Sequence, residues 1–413
     1  MIPAAALVEI PQKSWKSAST AIYSASFAAM GITFSILGPT LPALAAQTHT
    51  SLTTISYLFI ARSIGSIIGS IGGGRLFDRL AGHLLVAGTM AIMIATLVVI
   101  PMIPQIWMLT AVLFLAGVTN GTLNVGGNVL LIWVHGSKVA PFMNALHFFF
   151  GLGTFVAPIV VAQVVLLTGE MRWAYWLLAL VSLPIVLLTL GVRSPEPQHR
   201  SGQPGNEKID LGLVLGFFLI FFGYSGAAQA YGGWIFTYVT RLGLANDSAA
   251  AYLNSIFWGA LMAGRLLSIP LTVRFSPKAM LRADLLGALI SLGLVSLFPR
   301  SLIAIGVGSA GLGFSLATIF PTNMSLASRY MAITGKITGW FSIGSSLGAL
   351  VLPWLVGQLF EPAGPELLIY LNLGNILLTL GAYFYLVKRL EKVGAQSTSQ
   401  GGVPAPPAPV REA

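Results

Sequence analysis

Long apolar runs, separated by short polar or Gly/Pro-containing breaks, occupy most of the chain between residues 18 and 388. An α-helix needs about 20 mostly apolar residues to cross the hydrocarbon layer of a membrane, and each run has roughly this length. The pattern therefore predicts about twelve membrane-spanning helices. We place them at 18–44, 53–74, 83–103, 106–133, 140–168, 172–192, 212–240, 247–273, 280–298, 301–328, 333–360 and 366–388.

Two polar segments divide the chain. The internal one, RSPEPQHRSGQPGNEKID, begins at Arg193 and ends at Asp210, directly after the sixth predicted span. The other is the end of the chain, which is rich in Pro, Gly and Ser, a composition typical of disorder. We predict an N-terminal six-helix bundle at 1–192, a cytoplasmic linker at 193–211, a C-terminal six-helix bundle at 212–390 and a disordered cytoplasmic tail at 391–413.

The two predicted bundles resemble each other in sequence. A shift of 195 residues aligns Arg79 with Arg274, Asn128 with Asn323, Gly153 with Gly348, Pro158 with Pro353 and Gln163 with Gln358. Pro and Gly at equal spacing match by chance less often than Leu and Val do, so we interpret these pairs as an internal repeat. Two related bundles around a central substrate site are typical of alternating-access transporters.

Composition and charge place the chain in a membrane. Of its 413 residues 55% are hydrophobic and only 8% charged, against about 25% charged in soluble domains. This excludes a soluble enzyme, a disordered protein and a nucleic-acid binder. With both termini inside, only Arg172, Arg241 and Arg300 of the 22 Lys and Arg residues fall outside, as the positive-inside rule requires. The predicted fold is all-α, with two pseudo-symmetric six-helix bundles and both termini cytoplasmic.

One loop and three longer segments carry a family resemblance. The loop between the second and third spans, GRLFDRLAGH (Gly74 to His83), resembles the G-x-L-x-D-R-x-G-R/K-R/K signature of the major facilitator superfamily. The segments at 124–158, 231–238 and 319–362 resemble its fucose/hexose branch, close to the sodium-dependent-glucose-transporter-like members. The resemblance implies a secondary transporter of a sugar or similar polar solute, often coupled to H⁺ or Na⁺. It also implies that Asp78 and Arg79 gate the cytoplasmic side.

The chain departs from that branch where ions are coupled. Members of the branch often carry Asp at the position of Asn124 and Glu at the position of Ala228. All 12 acidic residues of this chain fall at predicted span ends, in loops or in tails, whereas proton relays usually use an intramembrane Asp, Glu or His. His147 is the one titrating side chain left within a span. We therefore expect transport to be uncoupled or only weakly coupled to H⁺.

Polar and aromatic side chains form stripes on several predicted spans, because residues three, four and seven apart share a helix face. Sugars are held by amides and by aromatic faces, so we predict that these stripes contact the substrate. Hydrogen bonding between helices is the competing interpretation for each Asn and for His147. The candidates are Asn120, Asn124, Asn128, Asn144, His147, Tyr224, Gln229, Tyr231, Trp234, Asn254, Trp258, Asn323 and Trp340.

Arg62 and Arg265 are the cations within predicted spans. A central Arg is costly, at least about 2.5–3.5 kcal/mol on insertion scales. Arg62 should therefore face a cavity or a polar partner, either an anionic substrate or a cluster of carbonyls. Arg265 lies nearer the cytoplasmic end, from which a long side chain reaches the interface by snorkelling. Gly65, Gly69 and Gly73 follow a small-xxx-small spacing that predicts close helix packing.

The leading functional prediction is a transporter of a sugar or sugar-like compound. The alternative is an efflux transporter of amphipathic drugs or metabolites, which the high hydrophobicity favours, and a receptor or scaffold on the same fold is a third class. The sequence holds no Walker loop, metal cluster or catalytic triad spacing, so we expect no enzyme activity, cofactor or metal. The expected partners are a small-molecule substrate and the lipid bilayer, with no nucleic acid. We expect a monomer in the plasma (inner) membrane.

Overall fold

A computed structural model describes residues 12–77, 79–195, 210–331 and 335–399. These residues form helices and connections, with no strand among them. The first half contains α1 (Gln12–Ser35), α2 (Leu37–Gln47), α3 (Leu52–Ile55), α4 (Tyr57–Phe77), α5 (Gly82–Val99), α6 (Ile106–His135), α7 (Ala140–Thr168) and α8 (Arg172–Leu190). The second half contains α9 (Leu211–Arg241), α10 (Asp247–Arg274), α11 (Pro277–Leu297), α12 (Leu302–Leu316), α13 (Ile319–Tyr330), α14 (Gly335–Ala363) and α15 (Leu367–Ser399).

Each of the twelve predicted spans coincides with a described helix or a pair of consecutive helices. Ten are long and apolar enough to cross a membrane, and the bent pair of α1 and α2 adds an eleventh when it is counted as one span. The predicted eighth span is α10, a 28-residue helix outside that set. Leu167, Ile303 and Leu378 are 82%, 81% and 78% exposed, as side chains that face lipid must be.

Prolines account for two of the breaks inside the described spans. Between α1 and α2 the axis turns by 47°, and Pro39 has no N–H to donate to the carbonyl of Ser35 four residues earlier. Between α12 and α13 the helix is interrupted at Ala317 and Thr318, and Pro321 likewise cannot donate to Ala317. Both breaks expose backbone carbonyls within the membrane, where another group must satisfy them.

The helices pack in the same arrangement in both halves. In the first half α1 packs on α7 and α4 on α6, and in the second α9 packs on α14 and α10 on α12. This is the arrangement that the 195-residue repeat predicts. The halves meet where α7 packs on α10 and where α4 packs on α14.

Glycines bring α4 and α6 together, as the small-xxx-small spacing predicts. A Cβ on Gly65 would lie 2.1 Å from the carbonyl oxygen of Phe114, and one on Gly69 would lie 2.0 Å from that of Val118. Real side chains do not fit at such distances, so only glycine permits this approach. The predicted packing role of these glycines is confirmed.

Some of the predicted features lie outside the described residues. They are Asp78, which we predict to gate the cytoplasmic side, most of the linker, and residues 400–413 of the tail. The last helix continues to Ser399, past the predicted bundle boundary at 390. Residues 391–399 contain one glycine and no proline, and the Gly-Gly pair and first proline of the tail come later, so the local sequence does not stop the helix at 390.

Candidate functional site

A cavity of about 710 Å³ lies between the two halves. One wall is α7 of the first half, and the others come from α10, α11 and α13 of the second. It extends to the loop between α10 and α11 and to the last turn of α13, the end that the predicted topology places in the cytoplasm. Its lining combines polar, basic and aromatic side chains: Asn144, His147, Phe148, Arg265, Ser268, Thr272, Phe275, Met280, Phe320, Thr322, Ser325, Ser328 and Arg329.

Two of the predicted contact residues line this cavity directly. Asn144 and His147 lie three residues apart on α7, on one face of that helix, and both are exposed. Arg265 faces them from α10, and its Nη2 donates to the hydroxyl of Tyr224 at 3.3 Å. The guanidinium of Arg265 therefore turns toward the cavity and α9, and does not reach the interface by snorkelling.

Arg62 is buried at 7% exposure and joins the two halves. Its Nη1 donates to the carbonyl of Phe34 at 2.8 Å, and its Nη2 donates to Oε1 of Gln229 on α9 at 2.9 Å. Phe34 precedes the last residue of α1, where the bend leaves carbonyls without helical donors, and its ring lies 4.6 Å from the guanidinium carbon. Arg62 therefore has the polar partners that its burial requires, but they are one backbone carbonyl and one side-chain amide oxygen rather than the predicted cluster of carbonyls.

Four other predicted residues lie in contacts between helices, away from the cavity. Each is fully buried. The indole N–H of Trp234 donates to Pro353 O at 2.9 Å, and Tyr231 shares a hydrogen bond with Ser309 at 2.8 Å. The amides of Asn254 and Asn323 donate to the carbonyls of Gly232 and Phe217 at 2.6 and 3.2 Å. These bonds correspond to the helix-packing interpretation.

Asn120 and Trp258 are buried with unmet hydrogen bonds. Neither the Asn120 amide nor Nε1 of Trp258 has a partner among the described residues, at 7% and 4% exposure. The Trp258 ring packs edge-on against Phe34, 5.8 Å between centroids, next to Arg62. A buried donor without a partner is costly, and a bound solute would satisfy it. Both residues lie outside the described lining of the cavity and stay predicted contacts of the solute, as do the side-chain oxygens of Asn254 and Asn323, which also lack a described partner.

The remaining predicted residues are more exposed. Asn128 donates through Nδ2 to the backbone carbonyl of Asn124 at 2.6 Å and to its side-chain oxygen at 3.1 Å. Asn124 itself is exposed, and Trp340 on α14 is 44% exposed. Arg79 follows α4, at the end that the predicted topology places in the cytoplasm, and is exposed.

The end opposite the cavity is closed by bonds from α14 to α3, which sequence reasoning missed. Glu361 accepts from the backbone N–H of Leu52 at 3.0 Å and from the Thr53 hydroxyl at 3.3 Å. Gln358 donates to Thr53 O at 3.1 Å and to Ser56 Oγ at 3.0 Å.

Gln163, the repeat equivalent of Gln358, donates to the hydroxyl of Tyr252 between α7 and α10. The sequence carried one signal for these contacts, the alignment of Gln163 with Gln358, because both glutamines form a hydrogen bond from one half to the other.

Asp284 corrects one expectation about the acidic residues. The predicted span begins at residue 280, which puts Asp284 at its end, but α11 begins at Pro277 and the half-buried Asp284 lies in its second turn. The carboxylate accepts a hydrogen bond from Thr318 at the break between α12 and α13, midway along that span. An acid is therefore present within the helical bundle, although it does not line the cavity.

Among the described residues, no group of three His, Asp or Glu side chains is placed to hold a metal ion. The polar groups that converge on the cavity are amides, hydroxyls, an imidazole and guanidinium groups. Such groups bind a polar solute through hydrogen bonds and charge.

Comparisons with known proteins agree with this geometry. The profile described as "Major Facilitator Superfamily" matches residues 23–353. Human "Sodium-dependent glucose transporter 1" is 31% identical over 406 residues, covering 89% of this chain and 78% of that protein. Mouse "Major facilitator superfamily domain-containing protein 4A" is 25% identical, covering 89% and 91%. A crystal structure of the nucleoside transporter NupG superposes with a TM-score of 0.71 at 14% identity, covering 90% and 99%.

The profile spans most of the chain, and the relatives align along nearly its whole length. The predicted resemblance to the branch with sodium-dependent glucose transporters is confirmed, and the likeness to NupG shows the same fold. Ten or eleven apolar helical spans, with a cavity between the first and the second half of the chain, are accounted for by one family. This chain is a multi-pass integral membrane protein that belongs to the major facilitator superfamily of transporters.

Proposed function

We propose that this chain carries a small polyhydroxy solute, a sugar or a sugar-like compound, by alternating access. The observation that carries the proposal is the cavity of about 710 Å³ between the halves, which extends to one end of the molecule while Glu361 and Gln358 join the halves at the other. Small-molecule sites commonly measure about 300–1,000 Å³. A closed end opposite an open cavity is one state of an alternating-access cycle.

The chemistry of the cavity favours a hydroxyl-rich solute. Asn144 and His147 supply donors and acceptors from one half, and Ser268 and Ser325 supply hydroxyls from the other. Phe148 and Phe320 offer apolar faces on which the C–H surface of a sugar ring can pack. The relatives named as glucose transporters support the same class of solute.

Exchange of labelled sugar by purified protein in liposomes tests this function. Vesicles loaded with one unlabelled sugar at a time, from a panel of monosaccharides and sugar derivatives, are diluted into trace label of the same compound. Saturable counterflow of at least one member supports the proposal. Absence of counterflow for the whole panel, together with drug resistance on expression, would establish the efflux alternative instead.

We also propose that transport is uncoupled or only weakly coupled to H⁺. The described lining of the cavity contains no Asp or Glu, and the Asp284 carboxylate is engaged with Thr318. His147 is then the titrating group that faces the solute. We expect solute addition to vesicles to cause no alkalinisation. Alkalinisation that disappears in His147→Gln would contradict weak coupling and would assign the proton to that imidazole.

A further inference from the structure

The cavity carries uncompensated positive charge. Its described lining includes two arginines, Arg265 and Arg329, and no acidic side chain. Arg329 lies in the last turn of α13, at the cytoplasmic rim, where basic residues are expected from membrane topology alone. Arg265 has no such explanation, and the inference rests on it.

Arg265 lies deep within its helix. It lies nine positions before Arg274, the cytoplasmic end of α10, which at 1.5 Å per residue corresponds to roughly 13 Å along the helix. Half the hydrocarbon thickness of a bilayer is about 15 Å. With Arg274 at the membrane boundary, the backbone of Arg265 lies inside the hydrocarbon layer, where a charged side chain marks a site that binds a ligand or pairs with another group.

The described residues do not supply a counter-charge for Arg265. Its hydrogen bond to Tyr224 is long, at 3.3 Å, and a hydroxyl group is not a counter-ion. No described carboxylate forms an ion pair with it, and Asp284, on the neighbouring α11, is held by Thr318. Arg62 is the internal comparison: its guanidinium donates at 2.8 and 2.9 Å to a carbonyl and an amide. Of the two, Arg265 is the cation left with donors for a ligand.

We propose that the solute carries an anionic group, a carboxylate or a phosphate, on its polyhydroxy framework, and that Arg265 binds that group. This inference rests on the proposed function and narrows its substrate class to acidic sugar derivatives. The planar guanidinium binds either anion through two parallel hydrogen bonds. Asn144 and His147 on α7 and Ser268 on α10 line the same cavity and bind hydroxyls of the framework.

An anionic solute has an electrical consequence that a neutral sugar lacks. Net movement of one anion without a coupled cation transfers charge, and each elementary charge responds directly to the membrane potential. Net uptake of an acidic sugar therefore accelerates when the vesicle interior is made positive, whereas net uptake of glucose does not respond.

The test compares glucose, glucuronate and glucose 6-phosphate in counterflow by the wild-type protein. We expect one of the two anions to exchange at least about tenfold faster than glucose, as one strong charge-assisted contact implies. Preference for glucuronate identifies the group as a carboxylate, and preference for glucose 6-phosphate identifies a phosphate. Potassium diffusion potentials then test whether net uptake of the preferred anion depends on voltage.

Arg265→Gln should abolish the preference for the anion. Arg265→Lys should retain part of it, because lysine keeps the positive charge but cannot form the two parallel hydrogen bonds of a guanidinium. Arg282→Gln is the matched control: it removes an exposed charge of α11 outside the described cavity lining and should leave the preference unchanged. If Arg265→Gln does not fold, Arg265→Lys and the voltage dependence of the wild type decide.

Glucose exchange as fast as that of both anions, or an unchanged preference in Arg265→Gln, overturns the inference and leaves the proposed sugar transport standing. Absence of exchange for all three compounds and for the wider panel overturns both.

Discussion

Arg62 of the first half donates a hydrogen bond to Gln229 of the second half at 2.9 Å, in a site where both side chains are at most 8% exposed. The same guanidinium holds the carbonyl of Phe34 beside the bend in the first span. One side chain thus links the bend in the first span to the opposite half of the molecule. Any movement that separates α4 from α9 must break this bond.

Loss of the Gln229 acceptor should weaken the state seen here. In Gln229→Leu the buried guanidinium of Arg62 keeps only the Phe34 carbonyl, and a hydrogen bond to a charged group contributes about 1.5–3 kcal/mol. We expect a lower thermal midpoint and a population shifted toward the state that is open at the opposite end. Gln229→Glu, which offers a carboxylate to Arg62, should shift both in the other direction. Equal midpoints for the two variants would show that the bond does not stabilise this state.

Glu361 should act as the latch of the closed end. Its carboxylate accepts from the first residues of α3, and a negative charge at a helix N-terminus is favourable. Ser56→Cys places a thiol at a fully buried position behind that contact, in a chain with no other cysteine. We expect Glu361→Ala in this background to increase labelling by an impermeant maleimide severalfold.

Glu366→Ala, which removes a nearby acid without a described hydrogen bond to α3, is the control for the latch and should label like the parent. If Glu361→Ala labels no faster than that control, the end is held closed by packing alone.

Gly69→Ala should disrupt the packing of α4 on α6. The added methyl would lie 2.0 Å from the carbonyl oxygen of Val118, so the helices must separate, and overpacking of this kind costs about 1–3 kcal/mol or more. Gly72→Ala on the same helix is the control, because nothing lies within 4 Å of its Cβ position. Thermal melts of the two variants in detergent should differ clearly, with Gly72→Ala close to wild type. Similar melts would mean that α4 shifts without cost.

The sequence predicted the spans and the glycine contacts well because both depend on local composition. Apolar length defines a span, and a glycine every fourth residue defines a smooth helix face. The candidate site was predicted less completely. Periodicity places Asn254 and Arg265 on polar faces of α10, but it does not tell whether a face turns to a cavity or to a neighbouring helix. In the structure Asn254 donates a hydrogen bond to Gly232 O, whereas Arg265 lines the cavity.

Contacts between the halves were beyond sequence reasoning for a related reason. The bond from Arg62 to Gln229 depends on how two bundles dock, and no spacing within either bundle encodes that distance. Asp284 was misplaced because the helix starts three residues before its predicted span and because Thr318 interrupts the facing span. Pro277 and Pro321 were the signals, since proline favours the first turn of a helix and breaks its interior.

Trp258 and Trp234 should separate solute binding from helix packing. The Trp258 indole N–H has no described partner, whereas that of Trp234 donates to Pro353 O. Trp258→Phe should therefore leave the thermal midpoint of the empty protein nearly unchanged and weaken solute binding by roughly 2- to 12-fold, the equivalent of a hydrogen bond of 0.5–1.5 kcal/mol. Trp234→Phe should lower the midpoint and leave the Kd of the solute unchanged. Both quantities come from melts of each variant over a series of solute concentrations, because a ligand that binds only the native state raises the midpoint according to its Kd. The reverse pattern would place Trp258 in packing and Trp234 in the site.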